Sequence, residues 1–277
     1  MASLQLWNSS KLTRTFTLAW LAVATTLGQT AVVADNSLSR VLRQNRLQVG
    51  VDARIGAPYL FWNSRTRYLD GFEWEIAREL AAQLKVDIRP VQIPWTNQPD
   101  QLRQRQIDII ISVREQGSLD ANLFAESQPY YRSSQRILVR RDLGNVNNLR
   151  GLIGKRVGVL PNSGGAALVE TYNKNRGNAV RVFSSPDLDR MVQQLLNRQL
   201  DALILDEPVA VWQAQQRPQL QIVGRPALAI NLVVVLNKED VSLRQAIDRA
   251  LTELQQNGKL EQILRRWQLW QSQQFSR

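Results

Sequence analysis

One eight-residue pattern occurs twice in this chain. Residues 105–112 and 198–205 both read Arg-Gln, an apolar residue, Asp, a variable residue, an apolar residue, Ile and a variable residue. Each copy ends a stretch in which β-rich and helical segments alternate, starting at residue 47 in the first stretch and at residue 155 in the second. Two such βαβαβ units predict two similar α/β lobes with mostly parallel sheets. The alternative is a chance match between segments of ordinary α/β composition.

Extended segments connect and follow the two units. Residues 127–142 contain a proline-marked turn and a β-rich run, and residues 229–236 form a second extended run late in the chain. Because neither segment is rich in Gly and Ser, we expect ordered strands rather than flexible linkers. Two strands that join two lobes predict a cleft between them. Helical patterns at 243–254 and 260–267 are expected to pack back on the first lobe, which is then discontinuous.

The residue types that are missing exclude several classes of site. With no Cys and no His, the chain has no disulfide, no zinc–thiolate site and no Ser-His-Asp triad. The formal net charge is +11, but the Lys and Arg are dispersed, and so we expect no nucleic-acid site. A generally cationic surface, or contact with acidic lipid headgroups, is the preferred explanation of the charge.

The first 34 residues differ from the rest of the chain. Lys11 and Arg14 precede a short apolar run at 16–24, and the small residues of 32–34 resemble a cleavage site before Asp35. This pattern predicts a secretory signal peptide, and hence an exported, periplasmic protein. A retained membrane anchor is the alternative, although the apolar run is shorter than the ~20 residues needed to span a bilayer.

Polar residues follow the predicted strands of both units. In open α/β sheets, ligands bind beyond the carboxyl ends of the strands. This rule places Asp52, Ser112, residues 160–164 and Asp206 at the predicted cleft. Ser163 and Gly164 also precede a helix, whose free N–H groups and dipole suit a ligand carboxylate. For Asp52 and Asp206, the alternative to ligand binding is the capping of a turn or a helix.

Several short motifs occur in a characteristic order between residues 45 and 270. They are Val49-Gly50-Val51-Asp52, Ala57-Pro58-Tyr59, Gly71-Phe72-Glu73, Pro129-Tyr130-Tyr131, residues 154–159 and Asp206-Glu207-Pro208. Together they resemble the periplasmic solute-binding proteins of polar amino-acid ABC transporters (extracellular solute-binding protein family 3). The resemblance implies a type II periplasmic-binding-protein fold, in which two lobes joined by two hinge strands close over a small ligand.

The resemblance also implies boundaries and partners. We expect a signal peptide at 1–34, the first part of lobe 1 at 35–138, lobe 2 at 139–231 and a return to lobe 1 at 232–277. The expected partners are a small polar ligand, an amino acid or a relative of one, and an ABC transporter permease in the inner membrane. We expect a monomer that binds its ligand without enzymatic turnover and without a cofactor or metal.

The family likeness assigns roles within the cleft. Asp206 matches the acid that pairs with a ligand ammonium group, and Ser163 and Gly164 lie where relatives usually carry hydroxyl residues. Tyr59, Trp62 and Trp95 are expected to line the pocket. For each of these aromatic residues, ordinary core packing is the alternative.

The sequence departs from the family at the carboxylate clamp. Relatives place an Arg there that holds the ligand α-carboxylate through two hydrogen bonds. Counting back from Pro129, this position is Asp120, and the small and Thr positions before it are Val113, Arg114 and Glu115. Arg114 is a candidate replacement, with a surface salt bridge to Glu115 or Asp120 as the alternative. An ordinary α-amino acid ligand is therefore in question.

Three functions are compatible with these sequence features. The first is the substrate-binding component of an ABC importer. The second is a periplasmic dehydratase resembling cyclohexadienyl dehydratase, for which Glu73, Glu115 and Glu207 are available acids. The third is a sensory ligand-binding module of altered specificity. The fold alone does not choose among them.

Overall fold

The computed structural model describes residues 35–144 and 146–271. Up to the first long strand, the helices and strands are α1 (Ser37–Arg43), β1 (Arg46–Val51), β2 (Phe61–Asn63), β3 (Tyr68–Asp70), α2 (Phe72–Gln83), β4 (Asp87–Gln92), α3 (Gln98–Arg103) and β5 (Ile109–Ile110). The remaining ones are β6 (Phe124–Arg140), β7 (Arg156–Val159), α4 (Gly164–Lys174), β8 (Arg181–Ser184), α5 (Leu188–Leu196), β9 (Ala202–Asp206), α6 (Glu207–Gln216), β10 (Leu220–Asn237), α7 (Val241–Gln256) and α8 (Lys259–Arg266). Single 3₁₀ turns occur at Trp95–Asn97 and Leu149–Leu152.

An eight-stranded sheet runs through the protein in the order β4-β1-β5-β10-β6-β9-β7-β8. At one end β1 pairs in parallel with β4 and β5, and at the other end β7 pairs in parallel with β8 and β9. Between them the long strands β6 and β10 pair antiparallel with each other over most of their length. The predicted α/β fold, with two mostly parallel lobes joined by two long strands, is confirmed.

The strands of both lobes run so that their carboxyl ends lie towards the middle of β6. Val235 of β10 pairs with Ile110 of β5 on one side and with Glu126 of β6 on the other. Because β10 is antiparallel to both strands, β5 and β6 run in the same direction. β9 runs the opposite way, from Ala202 opposite Val139 to Asp206 opposite Gln135. The carboxyl ends of the two sets of strands therefore approach each other near residues 131–135. This space between the lobes is the interlobe cleft.

Each lobe has its own apolar core. In the first lobe, buried side chains of β1, α2, α7 and α8 form one cluster. In the second lobe, alternate residues of β6 face opposite sides of the sheet, with Ile137 and Val139 packed towards α4 and Leu138 packed towards α5. Period-two alternation with both faces covered is what a buried strand requires.

The final helices belong to the first core. The apolar stripe of α7 (Leu243, Ile247, Leu251, Leu254) is fully buried in the cluster that contains β1 and α2. Leu260 and Ile263 of α8 join the same cluster. The chain therefore crosses to the second lobe through β6, comes back through β10 and completes the first core last.

The repeated Asp has the same structural task in both lobes. The Asp108 carboxylate accepts the backbone N–H of Gln48 at 2.8 Å, and the Asp201 carboxylate accepts the backbone N–H of Arg156 at 2.8 Å. Each Asp thus bonds to the first strand of its own unit. Each also pairs with a guanidinium group, from Arg40 in one lobe and from Arg156 in the other. The recurring Asp is explained by this bond to the neighbouring strand rather than by a catalytic or ligand-binding role.

Two sequence expectations concern membranes and export. Residues 1–34, the predicted signal peptide, lie outside the described residues. Within 35–144 and 146–271, no helix combines the length and hydrophobicity that crossing a bilayer requires.

Candidate ligand-binding cleft

Three predicted residues of the first lobe form one hydrogen-bonded group. Asp52 follows β1, and its Oδ2 accepts the backbone N–H of Trp95 at 2.8 Å. The Trp95 indole N–H donates to the backbone carbonyl of Ser112 at 2.8 Å, and the Ser112 hydroxyl accepts the amide of Gln98 at 3.3 Å. The Arg54 guanidinium, with support from backbone N–H groups, lowers the pKa of Asp52 to about 2. Asp52 is therefore ionised and already bonded to Arg54 and Trp95.

Arg114 is buried in the same region, with 2% of its surface exposed. Its guanidinium donates to the backbone carbonyl of Trp95 and, at 3.1 Å, to the side chain of Gln98. It also lies 3.8 Å from the centre of the Trp95 ring, within the range of a cation–π contact. Burial lowers the pKa of Arg114 to about 10, so the side chain stays charged at neutral pH. In this structure Arg114 holds Trp95 in place.

Tyr59 brings an aromatic ring and a hydroxyl from the first lobe towards Asp206. The residue is buried, and its ring lies 5.3 Å from the ring of Phe72. Gly71 makes this placement possible: it has a φ of +123°, and a Cβ there would overlap the carbonyl oxygen of Tyr59. The Tyr59 hydroxyl lies near Asp206 and opposes part of the rise that burial causes in the pKa of Asp206.

The start of α4 provides the wall of the second lobe. Ser163 is the helix N-cap: its hydroxyl accepts the backbone N–H of Ala166 at 3.1 Å and donates to the carbonyl of Leu160 at 2.7 Å. A Cβ on Gly164 would lie 2.7 Å from the amide nitrogen of Gln135. Glycine at 164 thus lets the helix pack against Gln135. A Ser or Thr at this position would force the Gln135 side chain to move.

Asp206 ends β9, partly exposed, and Gln135 of β6 donates its amide to it. Burial raises the pKa of Asp206, and the hydrogen bond from Gln135, together with the nearby Tyr59 hydroxyl, offsets part of that effect. The Asp206 side chain makes no capping bond to α6, which begins directly after it. The capping alternative therefore receives no support from the hydrogen bonds of this helix.

Glu115 of the first lobe provides a second carboxylate, close enough to Asp206 for the two negative charges to interact. It forms a bridge with Leu232 of β10. Desolvation, followed by the negative charge of Asp206, raises the pKa of Glu115. Two carboxylates from opposite lobes therefore raise the negative potential of the cleft together, and a bound cation would relieve their repulsion.

Two further positions lie apart from these groups. Trp62 is on the β2–β3 hairpin with 58% of its surface exposed. Asp120, at the expected clamp position, accepts the backbone N–H and the side-chain amide of Asn122 in an exposed turn before β6. Among residues 35–144 and 146–271, no group of three or more acidic side chains is placed to hold a metal ion.

Comparison with known protein families shows which family this chain belongs to. The family model of the bacterial extracellular solute-binding proteins, family 3, matches residues 47–269. The chain belongs to this family. The resemblance found in the sequence motifs is thereby confirmed, as is the predicted class of function, a solute-binding protein. The family match does not favour the dehydratase alternative.

Individual members of family 3 agree with this assignment. The L-cystine-binding protein TcyJ of Escherichia coli is 25% identical over 251 residues, covering 89% of this chain and 92% of the relative. The arginine-binding extracellular protein ArtP of Bacillus subtilis is 25% identical over 207 residues, covering 71% of this chain and 77% of the relative.

A solved structure shares the fold. It is that of an ancestral amino-acid-binding protein, a precursor of cyclohexadienyl dehydratase. It superimposes with a TM-score of 0.67 at 21% identity, covering 83% of this chain and 98% of the other. At this identity the likeness concerns the fold alone.

The sequence did not reveal the roles of two residues, one that contacts Asp206 and one that lies in the core beneath the first lobe's loop. Gln135 contacts Asp206 from a strand 71 positions away, and nothing local marks it. Glu73 was considered only as an acid for the dehydratase alternative. It is fully buried, and its Oε1 accepts both the Tyr130 hydroxyl at 2.5 Å and the backbone N–H of Val113 at 3.0 Å. This bond holds the loop that carries Arg114 and Glu115.

Proposed function

We propose that this protein captures a small cationic ligand, an amino acid or a related amine, in its interlobe cleft and delivers it to the permease of an ABC importer. Binding involves no chemical change of the ligand. The protein acts as a monomer in the periplasm after removal of residues 1–34. Its moving parts are lobe 1 (35–138 and 232–277) and lobe 2 (139–231).

This proposal rests on the lack of a cationic partner for the Asp206 carboxylate among the described residues. The carboxylate lies at the carboxyl end of a strand, has no capping role and is held by a neutral amide of Gln135 rather than by a cation. Among the described residues, no Lys or Arg forms a salt bridge with it. Burying a carboxylate without a counterion costs free energy, which a ligand ammonium or guanidinium group would recover.

The charge of the surrounding residues supports a cation. Glu115 adds a second carboxylate, and position 120 holds Asp where relatives place a carboxylate-binding Arg. We therefore propose that a ligand α-carboxylate contributes little to binding and reaches only the backbone N–H groups near Ser163 and Gly164. The relatives named for binding arginine and cystine have ligands that carry ammonium groups.

The other predicted residues receive supporting roles in this proposal. Tyr59 and Trp95 form the walls of the first lobe, Trp62 covers the opening after closure, and Arg114 positions Trp95. Asp52 and Ser112 fix the loops beneath these side chains.

The test is a thermal-shift screen of the purified protein, unfolded and refolded beforehand to remove carried-over ligand. The panel contains arginine, lysine, agmatine, putrescine, cystine and glutamate. A ligand present at 100 times its dissociation constant adds about 2.7 kcal/mol, which raises Tm by roughly 5–10 °C in a protein of this size. We expect arginine and its decarboxylated analogue agmatine to give similar shifts, and glutamate to give none.

Two variants locate the effect. Asp206→Asn should abolish the shift, whereas Asp189→Asn, an exposed change on α5 with no described side-chain bond, should preserve it. A shift that persists in Asp206→Asn, or one produced only by carboxylates, would refute the cationic site. Recovery of unchanged ligand after overnight incubation tests the absence of turnover.

A further inference from the structure

A second concave site lies in lobe 2 and shares only Gln135 with the group of cleft residues. It has a volume of about 680 Å³ and is bounded by α4, by β10 and by the turn at 147–150. Pockets that bind small molecules typically measure about 300–1,000 Å³. Its floor is apolar and consists of Ile137, Leu149, Leu168, Ile204 and Ala227.

Three guanidinium groups surround this floor. Arg150, Arg176 and Arg225 all line the cavity, and its lining contains no Asp or Glu. Among the described residues, none of the three forms a salt bridge with a carboxylate. The guanidinium of Arg176 lies 5.0 Å from the centre of the Tyr172 ring. Three unneutralised cations beside an apolar floor create a positive potential over a hydrophobic surface.

A neighbouring cavity shows that this charge pattern is not general in lobe 2. On the other side of α4 the lining residues include Glu170 as well as Lys174 and Arg181. There Lys174 and Glu170 pair with each other at 2.9 Å. Three cations without an acidic residue thus line only the cavity on one side of the helix, whereas the other cavity contains two cations and an acid that pairs with one of them.

Two buried polar atoms in the lining lack hydrogen-bond partners. They are the hydroxyl of Tyr172 and Oε1 of Gln135, whose amide nitrogen donates to Asp206. Unpaired buried polar atoms are costly, and they mark places where a ligand or water completes the bonding. A phenol can donate to an anion, and an amide oxygen can accept from a ligand hydroxyl or N–H group.

We propose that this cavity binds a small organic anion, a carboxylate or phosphate ester with an apolar body and a hydrogen-bond donor. The apolar body lies on the floor, the anionic group meets Arg150 and Arg225, and the donor reaches Gln135. Because Gln135 bonds to Asp206 on its other side, occupancy of the cavity fixes the residue that supports the cleft carboxylate. The cavity is thus a second site with a charge preference opposite to that of the cleft.

The test uses 1-anilinonaphthalene-8-sulfonate, a fluorescent organic anion with an apolar body, titrated into the purified protein. The double variant Arg150→Gln/Arg225→Gln removes two exposed guanidinium groups from the cavity, and it should weaken binding of the probe about tenfold. The matched control is Arg65→Gln/Arg190→Gln, which removes the same charge from exposed positions outside the cavity. Octanoate should displace the probe, and octan-1-ol at the same concentration should not.

Asp206→Asn separates this site from the cleft. If both proposals hold, this variant loses cationic ligands but keeps the probe, so either proposal can fail without the other. Equal probe affinities in the two Arg double variants would overturn the inference, as would equal displacement by octanol. Displacement only by phosphatidylglycerol vesicles would overturn it in favour of a membrane contact. A Kd on the order of 1 mM or weaker for the unmodified protein would also overturn it.

Discussion

Replacing the buried carboxyl group of Glu73 with an amide tests how the first lobe is held together. Glu73 is in the first turn of α2, and its Oε1 receives bonds from Tyr130 on β6 and from the Val113 N–H, while Oε2 has no described partner. Burial raises the pKa of Glu73 from 4.5 to about 7, against the opposing effects of the Tyr130 and Val113 bonds and of the Arg114 charge.

The direction of this pKa change fixes the direction of the pH effect. Because the folded protein holds the proton up to about pH 7 and the unfolded chain releases it near pH 4.5, the folded state binds more protons in this window. Stability from this group is therefore complete below pH 4.5 and is lost as the pH rises through 7. At about 1.4 kcal/mol for each pH unit, the loss is about 3 kcal/mol.

The Glu73→Gln variant cannot ionise but keeps the Oε1 acceptor for both donors. Urea unfolding followed by tryptophan fluorescence at several values between about pH 4.5 and 8 gives the free energy of unfolding of both proteins. The difference between variant and unmodified protein should shift by about 3 kcal/mol in favour of the variant across this range. Glu253→Gln, on the exposed side of α7, should show no such shift. A Glu73→Gln difference that stays constant with pH would refute the reasoning.

Two other substitutions test the packing around the cleft. Gly71→Ala should lower the free energy of unfolding by about 3 kcal/mol or more, because a Cβ would overlap the Tyr59 carbonyl at a φ of +123°. Gly117→Ala, at a φ of +76° with no atom within 4 Å of the Cβ, isolates the cost of the backbone conformation, and an equal loss in both would contradict the overlap. Trp212→Ala should cost about 2 kcal/mol in urea unfolding, since this half-buried ring of α6 lies 6.1 Å from Phe61 and 5.8 Å from Trp267 of the first lobe. Trp62→Ala, at an exposed ring, should cost under about 0.5 kcal/mol, and a similar loss from both Trp variants would disprove the contact between lobes.

The architecture could be predicted from the sequence because its signals are local. Alternating and helical periodicities identify strands and helices within about ten residues, and the order of those elements leaves few topologies. The repeated Arg-Gln-x-Asp segments and the β-rich runs at 127–142 and 229–236 therefore led to two lobes and two connecting strands. The apolar stripe of α7 likewise predicted its place in the first core.

The site depended on contacts between residues that are distant in the chain. Gln135 and Asp206 are 71 positions apart, and Glu73 and Tyr130 are 57 apart. Arg114 appeared in the sequence as a candidate ligand-binding cation, but its burial against Trp95 depends on where two separate loops meet. The sequence by itself determined the main strands and helices of the two units and their order, but not α1, the β2–β3 hairpin or α6. The absence of a clamp Arg at position 120 stays a prediction from the family resemblance. Only the tertiary structure decided which carboxylates lack a counterion, because burial and charge pairing arise where separate elements pack together.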